Sequence, residues 1–186
     1  MLLHLVRHAH AVEESEHPAR PLSARGRTEA ARLARFFLGN GCFAPAHVWH
    51  SPLARSRETA DELARRLGWA DSAVMVETSG LLPEDDPQEV AERLEIWPRD
   101  RGDLAIIGHE PHLSALASLL VRGREKPALF TLKKAAVLTL EPSKSVFKKN
   151  GFARWRVRWL LAPELLPPAP LPLAPAAASP QTLPPA

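Results

Sequence analysis

Two histidines, His8 and His109, each stand directly behind a short apolar run. Met1 to Val6 is apolar except for His4 and delivers Arg7-His8, while Leu104-Ala105-Ile106-Ile107-Gly108 delivers His109. A neutral imidazole that presents one nitrogen can attack phosphorus. A guanidinium beside it offers a planar, permanently charged fork for phosphate oxygens. Arg7-His8 therefore has the composition of a phosphoryl-transfer centre, under one geometric demand. Neighbouring residues on a strand point to opposite faces, so both side chains reach one ligand only if the strand ends between them. Ligands of open α/β sheets bind beyond the carboxyl ends of the strands, so two strands that end in His predict one shared site. Ser51-Pro52-Leu53-Ala54-Arg55-Ser56-Arg57-Glu58-Thr59 adds a second cation. Ser51 reads as a helix N-cap followed by Pro in the first turn, which aims backbone N–H groups and Arg55, one turn in, at the same crevice. Arg57 is the alternative, but it lies two residues on and points elsewhere around the helix.

The elements that must position these groups follow from periodicity and punctuation. The loop Ala11 to Pro21 leads to Ser23, an N-cap, and to a helix over Ala24 to Leu38, stopped by Gly39-Asn40-Gly41. Strands are predicted at Ala46 to His50, Ala73 to Val76 and Leu104 to Ile107. Helices are predicted from Ser51-Pro52 to about Leu67, over Gln88 to Trp97 and over Pro111 to Val121. Ala136 to Leu140 and Ala153 to Leu161 read as a hairpin-like pair with a turn at Asn150-Gly151. Strands alternating with helices predict an α/β fold, a three-layer sandwich with a mostly parallel central sheet.

Other residues carry weaker signals. His8 and His10 share a strand face with His4, as metal ligands would, yet no Asp or Glu follows at a suggestive spacing and Arg7 would repel a cation; no metal site is expected. His112, three residues after His109, reads as a capping or solvent-facing residue. His17, His47 and His50 read as structural or surface. Cys42, the one cysteine, excludes an intramolecular disulfide, fits a reducing compartment and lacks the basic neighbours of a catalytic thiol.

The net charge is only +3, with 45% hydrophobic and 24% charged residues, ordinary for a globular chain. The basic patches at Lys133-Lys134, Lys148-Lys149 and Arg154 to Arg158 read as solvated faces, so no nucleic-acid partner is expected. No apolar run is long enough to span a bilayer and no leader pattern is visible, so no membrane partner and a cytoplasmic location are expected. Residues 1–161 form the expected domain. Residues 162–186, rich in Pro, Ala and Leu with Glu164 their only charge, read as a flexible polyproline-like tail or linker. A ligand for a Pro-binding domain is the sharper alternative for that tail.

Taken together, the motifs carry a resemblance. Leu5-Val6-Arg7-His8-Ala9 resembles the Arg-His-Gly signature of the histidine phosphatase superfamily, the branch that includes phosphoglycerate mutases. The segment from Ser51 to Thr59 resembles its second phosphate-binding arginine, and Ile107-Gly108-His109 its second histidine. Arg20-Pro21-Leu22-Ser23-Ala24-Arg25-Gly26 and His109-Glu110-Pro111 resemble the smaller SixA-type phosphohistidine phosphatases. The departure, Ala9 for Gly, adds only a methyl. The resemblance covers roughly residues 1 to 160 and implies a two-step phosphoryl transfer with no metal or other cofactor. In it His8 is the nucleophile, Arg7, Arg55 and His109 hold the equatorial oxygens, and Arg20 closes the pocket. Glu84, within Leu82-Pro83-Glu84-Asp85-Asp86-Pro87, is the candidate proton donor, against a reading of these acids as solvated helix caps. The implied substrate is a protein phosphohistidine, with small phosphate esters as the rival; a compact chain with little inserted between motifs favours a bulky, exposed phosphoryl group. Readings of another class are a metal-dependent hydrolase on His8 and His10, or a catalytically silent phosphate-binding module.

Overall fold

Ser23 begins the first helix as the sequence predicts: its side chain accepts from the Gly26 N–H, and α1 runs over Ala24–Leu38 with Ala30, Leu33, Ala34 and Phe37 turned inward. The computed structural model describes residues 1–69, 71–143 and 155–166. Along them lie β1 (Leu3–Arg7), α1, β2 (His47–His50), α2 (Ala54–Leu67), β3 (Val74–Glu77), α3 (Pro87–Ile96), β4 (Leu104–Gly108), α4 (His112–Arg122), β5 (Val137–Pro142) and β6 (Trp155–Leu161). A short 3-10 turn, Pro163–Leu165, follows.

The six strands form one sheet in the order β3-β2-β4-β1-β5-β6. The first four are mutually parallel, whereas β5 joins β1 antiparallel and β6 joins β5 antiparallel. The expected mostly parallel sheet is thus mixed, with the predicted hairpin-like pair as its antiparallel edge. The Asn150-Gly151 turn between them lies outside the described residues. Alternation along β1 divides the core: Leu3 and Leu5 pack with α3 and α4, and Val6 packs with α1 and α2. These are the three expected layers.

Two local readings are corrected. Ser51-Pro52 does not open α2; the helix starts at Ala54 behind Leu53, which makes no side-chain cap. Arg55 is therefore the second helical residue rather than one turn in. Ser51 is occupied elsewhere, as described below. In addition, the chain remains structured beyond residue 161. Leu166 is buried with Phe37 and Trp159, and Arg32 donates hydrogen bonds to the Pro163 and Leu166 carbonyls. Residues 167–186 lie outside the described residues. Of the basic patches, Arg156 and Arg158 sit on exposed β6 positions and both pair with Glu141, at 2.8 and 3.2 Å.

Among the described residues no helix is long and apolar enough to cross a membrane.

Candidate active site

The end of β1 meets the demand set by the sequence. The strand stops at Arg7, and the next residue leaves the ladder with its N–H on the Gly108 carbonyl, 3.0 Å away. From the other side the Ala135 N–H spans the Arg7 and His8 carbonyls at 3.1 and 3.2 Å. The backbone is thus clamped by β4 and by the turn before β5.

His8 is buried, and its Nδ1 lies 2.7 Å from the Ala9 carbonyl. A carbonyl only accepts, so the pattern assigns the proton to Nδ1 and leaves the Nε2 lone pair unprotonated. Burial pushes the imidazole pKa down to about 4; the Ala9 hydrogen bond opposes this, and the charges of Arg55, Arg7 and Lys134 add to it. The ring is neutral at pH 7.

His109 stands at the end of β4, its ring centroid 5.0 Å from that of His8. Its Nε2 is held by the Ser51 hydroxyl at 2.8 Å and the Ser56 hydroxyl at 3.1 Å. With a hydroxyl donating, Nδ1 carries the proton, and this buried atom has no partner among the described residues. Burial first, then His8, Arg55, His112 and Arg7, lower the His109 pKa to about 3.

Arg7 donates from Nη1 to the Leu132 carbonyl at 2.7 Å, while its Nε is buried without a partner among the described residues. Arg55 enters from α2, and Thr59, one turn on, accepts from the Ala9 N–H at 3.1 Å and donates to the Arg55 carbonyl. Burial and then Arg20 lower the Arg55 pKa, and Glu84 opposes them. Arg20 and Glu84 therefore share the Arg55 neighbourhood. Arg20 holds a positive φ of 48°, with Nε on the Val12 carbonyl at 3.2 Å and a guanidinium nitrogen 3.7 Å from Glu13.

The acidic turn divides its labour. Asp86 caps α3 on the Gln88 N–H at 2.9 Å, so for it the capping reading holds, while Asp85 accepts from the Leu82 N–H at 2.7 Å within the loop before the helix. Glu84 is exposed, with its charge acting on Arg55. The reading of His112 as capping or solvent-facing is corrected: it is 1% exposed and neither nitrogen has a partner among the described residues. It sits where α4 is buried almost all round, an environment that a local spacing rule does not register. Its pKa is lowered by burial, against Asp85 and Asp86.

The structure thus brings Arg7, His8, Arg55 and His109 together, with Arg20 and Glu84 at the Arg55 end. Ser51, Ser56 and Thr59 also serve the site. The sequence marks them only as members of the Ser51 to Thr59 motif, because their partners are distant in the chain. His10, the alternative metal ligand, has Nδ1 2.9 Å from the Ser23 hydroxyl.

The loop leaving His8 is seated by both flanking helices. Glu29 accepts from the His10 N–H at 2.9 Å, Glu58 from the Leu22 N–H at 3.0 Å, and Ser23 N–H reaches the His10 carbonyl at 3.0 Å. Gly26 allows this approach, since a Cβ there would lie 2.0 Å from the His10 carbonyl oxygen and 2.9 Å from its carbon. Backbone cannot yield as a side chain does. Gly26→Ala is expected to cost about 3 kcal/mol and to lower the Tm by roughly 10 °C. Thermal denaturation followed by circular dichroism measures this, and an unchanged Tm would contradict the close approach.

A neutral, tautomer-fixed imidazole thus lies near two arginines and a second histidine at the ends of parallel strands, the set of groups that phosphoryl transfer requires. Comparison agrees. The family model for the histidine phosphatase superfamily (branch 1) matches residues 3–112, and the chain belongs to that family and is a phosphatase. Among solved structures it is similar to the protein histidine phosphatase SixA complexed with tungstate, with a TM-score of 0.71 and 22% identity over 88% of this chain and 98% of that one. It is also similar to a SixA protein of Agrobacterium tumefaciens, with a TM-score of 0.64 and 20% identity over 87% and 97%. A mycobacterial glucosyl-3-phosphoglycerate phosphatase in complex with VO3 follows at 0.62 and 18% identity over 87% and 99%. These likenesses show the shared fold. No curated protein sequence matches.

Proposed function

We propose that this phosphatase removes the phosphoryl group from phosphohistidine on proteins, through a phosphohistidine intermediate on His8 Nε2 and with no metal or other cofactor. The observation that carries the mechanism is a pair of buried, unpartnered N–H donors, Arg7 Nε and His109 Nδ1, beside a neutral nucleophile. Buried donors normally find an acceptor, and phosphoryl oxygens would supply it. In the first step the substrate P–N bond breaks as the bond from phosphorus to His8 Nε2 forms. Arg7, Arg55 and His109 hold the equatorial oxygens as charge redistributes, and Arg20 closes the Arg55 side. The departing imidazole takes a proton from Glu84 or water. In the second step water attacks phosphorus, the bond to Nε2 breaks, phosphate leaves with the new P–O bond, and the water proton returns to Glu84 or solvent.

Three features support the substrate class. Imidazole leaves more readily than an alkoxide and needs less help from an acid; the acid available here, Glu84, is exposed rather than buried against the leaving group. Relatives of the SixA type share the fold at a TM-score of 0.71. Little is inserted between the motifs, so the phosphoryl site suits a group presented on a large partner. A small phosphate ester is the second reading, favoured by the likeness to the glucosyl-3-phosphoglycerate phosphatase.

Hydrolysis of a phosphohistidine peptide and of an aryl phosphate, both with EDTA, separates the readings. A higher kcat/KM for the peptide is expected. Cleavage of the aryl phosphate alone would retain the chemistry and replace the substrate class. Loss of all activity to EDTA would point to a metal-dependent hydrolase, and anion binding without turnover to a silent module.

A further inference from the structure

Beside the phosphoryl site lies a second cavity of about 540 Å³ that shares only Arg7 with it; Arg55, His109 and Glu84 do not line it. Its other walls carry Arg25, Arg32, Lys133 and Lys134, against the carboxylates of Glu29 and Glu164. Five cations against two acids make this a positively charged recess. Of the acids, Glu29 is already engaged, accepting from Arg25 Nε at 2.8 Å and from the His10 N–H.

The lysines are built in. The Ala136 N–H closes onto the Lys133 carbonyl at 2.9 Å, the Arg7 N–H donates to the Ala136 carbonyl at 3.1 Å, and Ala135 turns the chain at φ 58° to clamp the end of β1. Lys134 is thereby held close enough to His8 for its charge to depress the imidazole, and it has no carboxylate partner among the described residues. An anion already rests here. The Glu164 carboxylate lies 3.8 Å from Lys133, both side chains more than half exposed, on a segment that Arg32 fastens by its carbonyls. Ion pairs this exposed are weak and readily exchanged.

We infer that this recess is a specificity subsite for a second anionic group, a carboxylate or phosphate, carried by the substrate beyond its scissile phosphoryl group, and that Glu164 competes for it from within the chain. This rests on the phosphoryl site proposed above and extends it. Two sources can supply the anion: an acidic side chain flanking phosphohistidine in a protein, or the carboxylate of a small ester.

Binding decides it without turnover. Calorimetry would compare peptides bearing a hydrolysis-resistant phosphohistidine mimic flanked by Glu or by Gln, and carboxyphenyl phosphonate with phenyl phosphonate. About fivefold tighter binding of the acidic member of a pair is expected, as two half-exposed charge contacts provide. The double variant Lys133→Gln/Lys134→Gln should bring that ratio close to one, and Glu164→Gln should raise it. A preference confined to the peptides assigns the anion to a protein, and one confined to the phosphonates assigns it to a small ester. Equal affinities within both pairs, or a preference that survives the double variant, would overturn the subsite while leaving the phosphoryl site intact. If no phosphonate binds at all, the phosphoryl site itself is wrong and the subsite goes with it.

Discussion

His8→Ala is expected to lower turnover of phosphohistidine and aryl phosphate substrates alike by about 10⁴-fold or more, as removal of a covalent nucleophile does. The reason is positional as well as chemical. Nε2 carries the lone pair because Nδ1 is committed to the Ala9 carbonyl, and no other imidazole nitrogen in the cluster is so presented. His109, the nearest candidate substitute, has Nε2 tied to two serine hydroxyls and a protonated Nδ1. The fold should survive, since the variant loses one hydrogen bond of about 1 kcal/mol and relieves the burial of an imidazole. Wild-type enzyme mixed rapidly with aryl phosphate and quenched in alkali should carry protein-bound phosphate, and His8→Ala should carry none. Retained activity in the variant would remove His8 from the mechanism.

The second large effect is on stability. His4, His8 and His109 are buried, with pKa values lowered to about 4, 4 and 3, chiefly by burial, and His112 is lowered too. In the unfolded chain each would titrate near 6.5. Between that value and the folded ones the unfolded state binds more protons than the native state, so stability falls as pH falls through this window. Below the folded values these groups add no further loss. A histidine charged only when unfolded contributes roughly 1.4 kcal/mol per pH unit at most. The three together then give a slope of up to about 4 kcal/mol per unit near pH 5. Urea denaturation from pH 7 to pH 4 should show a steadily falling midpoint, and His8→Ala should reduce the slope by one histidine's share. A flat midpoint across that range would mean that these imidazoles are charged in the native state.

Local chemistry made much of this readable in advance. The α1 boundaries follow from Ser23, Gly39 and a continuous apolar stripe, all within one stretch of chain. The four central site residues follow from apolar runs that end in Arg-His and Gly-His and from one motif arginine. What escaped depends on distant partners. Ser51 has the residue type of a cap, but its hydroxyl is taken by His109, which arrives from the neighbouring strand. His112 looks solvent-facing by spacing, yet α4 is covered on nearly every side. The hairpin itself is legible, but its attachment through β5 to β1 depends on a partner distant in the chain. Lys134 owes its place beside His8 to the positive-φ turn at Ala135, a conformation that alanine does not advertise.

The clamp around the end of β1 has a consequence for how the enzyme comes into being. β1 is made first, but its neighbours are β4 and β5, and the Arg7 backbone and guanidinium are held by residues 132 to 136. Contacts so distant in sequence close large loops, and those closures come late and together. A nascent chain that has emerged only as far as α4 already contains Arg7, His8, Arg55 and His109 yet lacks the turn that fixes the first two. The end of β1 is therefore fixed only once residues 132 to 136 have been made, and a shorter nascent chain holds Arg7 and His8 without the turn that positions them.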